Sequence, residues 1–289
     1  MEKAKSSKKP HRRLLIFAIL AAILLLLFVD SGRRLVSSEY ERFYENLPQS
    51  FDGYRIVQIS DLHTAQFGRD NSRLLALVSK QKPDVIVLTG DLIEKRENRF
   101  SGGQSEKLSN FLEKLSEIAP CFFVSGNHEW ASGEISELTE LLQEKNIRYL
   151  HNEAILLQKG EDSLVLLGVE DPNGPADMMR PGELVDIINS AYPDNFKILL
   201  GHRNDWLVRY PKLAVDIIMC GHAHGGVVRL PGLGGVFGTE LDFFPKYDGG
   251  LFNEGSYDMI ISRGLGGRVP MPRLFNNPEL VTLILRQGS

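Results

Sequence analysis

Cysteine is nearly absent from this chain of 289 residues: Cys121 and Cys220 are the only two. One opens a β-like run and the other closes one, so in a parallel sheet they fall at opposite ends, too far apart to bridge. Both read as small buried hydrophobes. Charge of one sign is not in excess either. A net charge of −4 is close to balance, which argues against a general nucleic-acid binder and shifts interest from the amount of charge to its location. The body of the chain carries no internal repeat and no low-complexity tract. With 43% hydrophobic residues it is not a disordered protein, and its length suits one large domain with an appendage.

Unevenly placed charge lies at the N-terminus, where Lys3, Lys5, Lys8, Lys9, Arg12 and Arg13 precede Leu14 to Val29, an uninterrupted apolar run of sixteen residues. As a helix this run is roughly 24 Å long at about 1.5 Å per residue, short of the ~30 Å hydrocarbon core. Ser31, Gly32 and snorkelling Arg13 and Arg33 can extend it. No polar face interrupts it, which disfavours a buried soluble helix. A cleaved signal peptide and an uncleaved signal anchor both have this form, and the lack of a small-x-small site after Val29 favours the anchor. Basic residues are denser before the run than after it, so the positive-inside rule puts the N-terminus in the cytoplasm and the large domain outside. Arg12-Arg13 ahead of Leu14-Leu15-Ile16 also resembles a twin-arginine export signal, which suits a protein that takes up metal before crossing. The chain thus divides into a basic tail and membrane helix over 1–32, a polar connector over 33–50 with an edge strand around Tyr40 to Tyr44, and a domain over 51–289.

Within that domain, Asp61-Leu62-His63 stands where the apolar run Tyr54, Ile56, Val57, Ile59 stops. In extended backbone a carboxylate and an imidazole two residues apart point the same way, so both reach one cation. The triplet alone is common by chance. Its recurrence gives it meaning, because other β-like runs end on Asp91, on Asn127-His128, on His202 and on His222-Ala223-His224. Helical stripes fall between the runs, with Leu74, Leu75, Leu77 and Val78 near 70–81 and Leu108, Phe111, Leu112 and Leu115 near 105–118. Strand, helix and strand in this order predict a parallel sheet covered on both faces. Further helices are expected near 134–144 and 183–191, and a strand near 147–150. Strands at 154–158 and 163–169 around Lys159-Gly160-Glu161-Asp162 predict an antiparallel hairpin. A strand at 227–230 opens a glycine-rich stretch, and strands near 257–262 and 280–285 close the chain.

Ligands of open α/β sheets bind at the carboxyl edge, where Asp61, His63, Asp91, Asn127, His128, His202, His222 and His224 would converge. Of the seven histidines only His11, in the basic tail, and His151, read as a surface or core-edge residue, fall outside this set. Seven potential ligands besides His128 exceed one tetrahedral zinc and suit two adjacent cations, with one Asp able to bridge them. Imidazole, carboxylate and amide donors without thiolate suit Mn²⁺, Fe or Zn²⁺. Glycines at 90, 126, 201 and 221, each just before a ligand, permit close backbone approach.

Asp61-Leu62-His63, Gly90-Asp91, Gly126-Asn127-His128-Glu129, Gly201-His202 and Gly221-His222-Ala223-His224, in this order, resemble the signature of the calcineurin-like metallophosphoesterase superfamily over about residues 51–289. The N-terminal anchor, Phe51-Asp52-Gly53, Gly225-Gly226 and Arg263-Gly264-Leu265-Gly266 resemble its bacterial membrane-anchored branch. The resemblance implies a four-layer α/β/β/α sandwich with two divalent ions. It implies that Asp61, His63 and His224 hold one ion, that Asn127, His202 and His222 hold the other, and that Asp91 bridges them. Water shared by the ions would attack phosphorus in line, while His128 contacts the phosphate and protonates the leaving oxygen. Glu129 would act behind the ligands. Glu94 departs from the superfamily's frequent Asp, which touches only an outer contact.

The activity so implied is hydrolysis of a phosphodiester or pyrophosphate at a membrane surface, with lipid-linked pyrophosphates such as UDP-diacylglucosamine among the substrates. The alternative is a non-catalytic scaffold for a protein partner, against which stands the full set of ligands and the presence of His128. Arg229, Arg263 and Arg268 are candidate phosphate contacts, set against the commoner solvated or acid-paired role. Phe243 and Phe244 read either as contacts to an apolar substrate tail or as core. Oligomeric state is not set by the sequence.

Overall fold

Strands that are apolar on both faces must be covered on both faces. A computed structural model describes residues 9–95, 103–239, 242–267 and 273–288 and shows how this is done. The first of two six-stranded sheets has the order β1 (Val36–Tyr44), β14 (Glu279–Gln287), β2 (Arg55–Ile59), β3 (Val85–Thr89), β4 (Cys121–Val124), β5 (Ile147–Tyr149). The second has the order β12 (Gly250–Asn253), β13 (Asp258–Ile261), β9 (Ile217–Cys220), β8 (Lys197–Leu200), β7 (Asp162–Gly168), β6 (Glu153–Lys159). A two-residue ladder of β10 (Arg229–Leu230) and β11 (Gly234–Gly235) lies apart from both. Pairing is parallel from β2 through β5 and from β7 through β8 and β9 to β13. It is antiparallel for β6 with β7, β12 with β13 and β14 with β2.

Side chains alternate across each strand, and the alternation sets the layers. Val57, Ile59, Ile86, Leu88 and Phe123 face helices α2 (Ser72–Lys80), α3 (Gly103–Ser116) and α5 (Ile135–Glu144), meeting Leu74, Val78, Phe111, Leu112, Leu138 and Leu142. Ile56, Val85, Val87, Phe122 and Val124 face the other way, onto Leu164, Leu166, Ile198, Leu200, Ile217 and Met219 of the second sheet. Val165, Leu167, Leu199 and Ile218 then meet α6 (Pro181–Ala191) and α7 (Trp206–Arg209) through Leu184, Val185, Trp206 and Leu207. The result is the α/β/β/α sandwich.

Before the sandwich runs α1 (Lys9–Arg33), whose residues 13–33 are long and apolar enough to cross a membrane, with mean hydropathy 2.8. Its end is tied to the sandwich: Phe275 N donates to Ser31 Oγ at 2.9 Å and Asn277 Nδ2 donates to Asp30 O at 3.2 Å. The edge strand expected from Tyr40 begins earlier, at Val36, and pairs parallel with β14 over its whole length. Its burial alternates residue by residue, the pattern of an edge strand with one wet face.

Among the described residues, α4 (Asn127–Ser132), α7, β11 and β12 escaped the periodicity argument. Each is six residues or fewer, too short to display a helical or strand period. The strand expected over 227–230 is reduced to two residues, since the glycines that follow turn the chain back at once. Cys121 and Cys220 are both free and buried; one opens β4 and the other closes β9, and the two strands also belong to different sheets.

Candidate metal centre

The carboxyl ends of β2, β3, β4, β8 and β9 meet along one edge of the sandwich, and all eight residues singled out above follow them there, Asn127 and His128 in the first turn of α4. Six of the eight are buried by accessibility: Asp61, His63, Asp91, His128, His202 and His224. The geometry of Asp61 and His63 corrects the extended-backbone argument. Both have left-handed backbone, φ 50° and 47°, as do Asp91 at 54°, His222 at 69° and His224 at 48°. Left-handed backbone at non-glycine residues is strained, and such strain persists only where the surroundings enforce it. The side chains converge because the chain turns sharply after each strand.

Among the described residues three donor groups result, one of them His63, Glu94 and His128, and the other two share Asp91. Asp61, His63, Asp91 and His224 offer donor atoms all within 4.8 Å of one another, and so do Asp91, His202 and His222. Asn127 joins the second group through Oδ1, 3.2 Å from His202 Nε2. Asp91 Oδ2 lies 3.3 Å from His202 Nε2 and 3.7 Å from His63 Nε2.

The donors fit cations. His63 Nε2 faces His224 Nε2 at 3.1 Å, and His202 Nε2 faces His222 Nδ1 at 3.1 Å, close enough for each pair of ring nitrogens to share a proton or a cation. His202 Nδ1 is spent on Thr89 O at 2.9 Å, which leaves Nε2 as the lone pair aimed inward. The local field asks for the same charge. Burial opposes a charged His202, but Asp91 outweighs it and pushes the imidazole up to about 10. Burial also works against an ionised Asp91, yet His202, His63 and His128 hold its carboxyl well below the usual range. Burial pushes Asp61 up to about 6, with His202 pulling against it and Asp91 adding to it. Burial and neighbouring histidines hold His222 and His224 well below the ordinary imidazole value.

Around the donors stands a frame that the sequence only partly announced. Glu129, on α4, accepts from the backbone of Asp91 and Gly126 through Oε2 at 2.8 and 2.7 Å and from Leu92 and Ile93 through Oε1 at 2.7 and 3.2 Å. It clamps both the Asp91 and the Asn127 loops. Glu94 sits 3.6 Å from the Nδ1 atoms of both His63 and His128. Arg263-Gly264-Leu265-Gly266 braces the first ligand loop: Leu265 N donates to Ser60 O and Gly266 N to Asp61 O, at 3.1 and 2.6 Å. Close approach explains Gly221, whose added Cβ would lie 1.9 Å from Ser60 Oγ and 2.3 Å from Asp61 Oδ2. Gly90 combines φ +83° with a Cβ position 2.6 Å from His202 Nδ1.

Two candidate phosphate contacts are occupied elsewhere. Arg229 pairs with Asp248 at 3.1 Å and Arg263 with Glu279 at 2.8 Å, while Arg268 lies outside the described residues. The arginine at the cleft is one the sequence did not single out. Arg203 is gripped by Asp171 at 2.6 and 3.1 Å and reaches His222 Nε2 with Nη1 at 3.1 Å. Its place directly after Gly201-His202 was the available signal; Asp171, buried at the far side, gave none. Arg203, Asn173 and Thr239 line the same cleft of about 200 Å³ as Asp91, Asn127, His128, His222 and His224. His151 pairs with Glu170 outside this cleft. Phe243 and Phe244 are exposed, not core.

A carboxylate shared between two imidazole-rich donor groups thus stands at the edge where the two sheets meet. The sequence profile described as calcineurin-like phosphoesterase matches residues 54–226, and the chain belongs to that family. It is by that membership a metal-dependent phosphoesterase. Among its relatives is a transmembrane protein with a metallophosphoesterase domain from Danio rerio, 27% identical over 99% of this chain and 65% of that protein. Phosphodiesterase YaeI of Escherichia coli is 28% identical over 80% of this chain and 82% of that protein. UDP-2,3-diacylglucosamine pyrophosphatase LpxG of Chlamydia muridarum is 27% identical over 81% of this chain and 85% of that protein.

Proposed function

We propose that Asp61, His63 and His224 hold one divalent ion and Asn127, His202 and His222 a second, with Asp91 common to both. On this reading the chain hydrolyses a phosphodiester or pyrophosphate bond of a membrane-borne substrate. The observation that carries it is the membership of Asp91 in both donor groups. The absence of thiolate favours Mn²⁺, Fe or Zn²⁺. When bound, a pair of such ions acidifies water and neutralises phosphoryl oxygens.

The chain's own residues supply the rest. Lys95 N donates to His128 Nδ1 at 3.1 Å, which leaves the proton of a neutral imidazole on Nε2. That atom lies 3.9 Å from Asp91 Oδ2, on the cleft side, and hands its proton to the leaving oxygen. Arg203, fixed by Asp171, places its guanidinium beside His222, where it holds a phosphoryl oxygen. A cavity of about 220 Å³ opens next to Arg203, lined by Met178, Met179, Arg180 and Trp206 among others, and gives room for a bulky leaving group.

A lipid-linked pyrophosphate such as UDP-diacylglucosamine is the substrate reading that the name of the chlamydial relative and the apolar helix support together. Residues 1–32 act as the anchor, with the N-terminus cytoplasmic and the domain outside the membrane. The test is His128→Ala in the full chain. Turnover is expected to fall about 10²- to 10⁴-fold while elemental analysis finds the metal content of the parent. Unchanged turnover sinks the acid role, and no turnover by either protein on a generic diester, a monoester or the nucleotide-sugar lipid favours the scaffold alternative.

A further inference from the structure

Outside α1, eleven large hydrophobic side chains are exposed among the described residues, and six belong to two neighbouring segments: Leu230, Leu233, Phe237, Phe243, Phe244 and Phe275. Leu233 and Phe243 are the most exposed of these, at 69% and 70%. Scattered apolar residues need no explanation, whereas a contiguous group of them does. Backbone bonds make this group contiguous. Leu233 N donates to Leu230 O and Phe244 N to Val236 O, at 3.0 Å each. Phe237 and Phe243 form a bridge with ring centroids 5.1 Å apart. Beneath them, Arg229 N donates to Leu274 O at 2.9 Å, one residue before Phe275, whose own N–H is bound to Ser31 near the end of α1.

The apolar ladder therefore shares a footing with the end of the helix that is able to cross a membrane. Topology puts that footing at the site. Because β14 runs antiparallel to β2, with Val281 opposite Gln58, its first residues stand at the edge where β2 delivers Asp61. Thr239, two residues beyond Phe237, lines the metal cleft and also a groove of about 760 Å³ shared with Val208 and Lys246. Positive charge accompanies the helix end: Arg73 Nη2 donates to Arg33 O at 3.5 Å, while Arg34, the next residue, is paired with Asp30 at 2.9 Å. Cationic side chains beside apolar ones suit an anionic lipid surface.

We infer that Leu230, Leu233, Phe237, Phe243 and Phe244, with Phe275, form a bilayer-contacting surface. These leucines and phenylalanines enter the headgroup and acyl boundary beside α1 and hold the metal cleft at a fixed height over the lipid. A phosphoester whose apolar part stays in the bilayer then reaches Asp91 without leaving the membrane. This rests on the anchored reading given above and adds to it a specific second point of membrane contact.

The two native thiols are buried, so one introduced surface cysteine can be labelled selectively. Full-length Phe243→Cys is compared with Glu161→Cys, which is exposed in the β6–β7 turn at the opposite edge of its sheet. Each carries an environment-sensitive fluorophore and is reconstituted in phosphatidylethanolamine and phosphatidylglycerol vesicles, with or without acyl-chain spin labels. Quenching at 243 and none at 161 is expected. Protein retained through an alkaline wash but equally unquenched at both positions overturns the loop contact and leaves the anchor standing. Protein lost in the wash overturns the anchor, and this inference with it. In the same vesicles, Phe243→Ser with Phe244→Ser is expected to lower turnover of an embedded lipid pyrophosphate about tenfold and to leave a soluble diester unaffected. Equal loss on both substrates, or no loss on either, overturns the inference.

Discussion

Glu129 uses both carboxylate oxygens on four backbone N–H groups, and those N–H groups belong to the loops that carry Asp91 and Asn127. Burial, with Asp91 nearby, pushes its carboxyl up to about 7 against the pull of these donors. Glu129→Gln replaces one acceptor oxygen by an amide group that turns donors toward donors. Metal affinity is expected to fall about 10- to 100-fold, read by titration of the chelated protein with Mn²⁺ or Zn²⁺. Cys121 makes a second residue-scale case. Burial alone pushes its thiol up to about 12, so it should resist alkylation in the native protein and react only after unfolding. Quantifying labelled thiol by mass before and after denaturant checks this.

Elements are joined at this site by groups that belong to none of the ligand motifs. Glu279, at the start of β14, accepts from Arg263 N and Nη2 at 3.0 and 2.8 Å and from Ser38 of β1. Burial would raise its carboxyl, but the Arg263 hydrogen bond and charge outweigh it and hold the group below its ordinary 4.5. An acid held down by folding adds stability above its unfolded value, and that stability is lost as pH falls through the lower folded value. Glu279→Gln is therefore expected to cost about 3–5 kcal/mol near neutrality, with the gap from the parent narrowing as the pH drops below about 4.5. Denaturant midpoints across pH measure it. Gly221→Ala works on the link between β9 and the Asp61 loop. A methyl group 1.9 Å from Ser60 Oγ must displace that loop, and loss of bound metal ahead of any loss of secondary structure is the expected result.

For the whole molecule, the site is the seam between two separately covered sheets. Asp61, from the first sheet, accepts from His222 N of the second at 3.1 and 3.2 Å, and His63 meets His224 across 161 residues of chain. Ions bound across that seam stabilise the folded state by mass action. At about a hundredfold excess over the dissociation constant the gain is about 2.7 kcal/mol. The thermal midpoint should rise on adding Mn²⁺ to chelated protein and fall back with EDTA, and an unchanged midpoint would remove the metal from the seam.

The candidate ligands stood out without coordinates, since Asp91, His202 and His222 each follow a glycine that ends an apolar run. So was the layering, because strands apolar on both faces alternate with one-sided helices. Both are local signals, carried by composition and period over a few residues. What the tertiary structure alone decided is that Asp61 and His63 converge through left-handed turns, and that Arg203 faces the cleft while Arg229 and Arg263 are held by Asp248 and Glu279. Those outcomes depend on contacts between segments far apart in the chain, and neither period nor spacing records which distant carboxylate an arginine will meet.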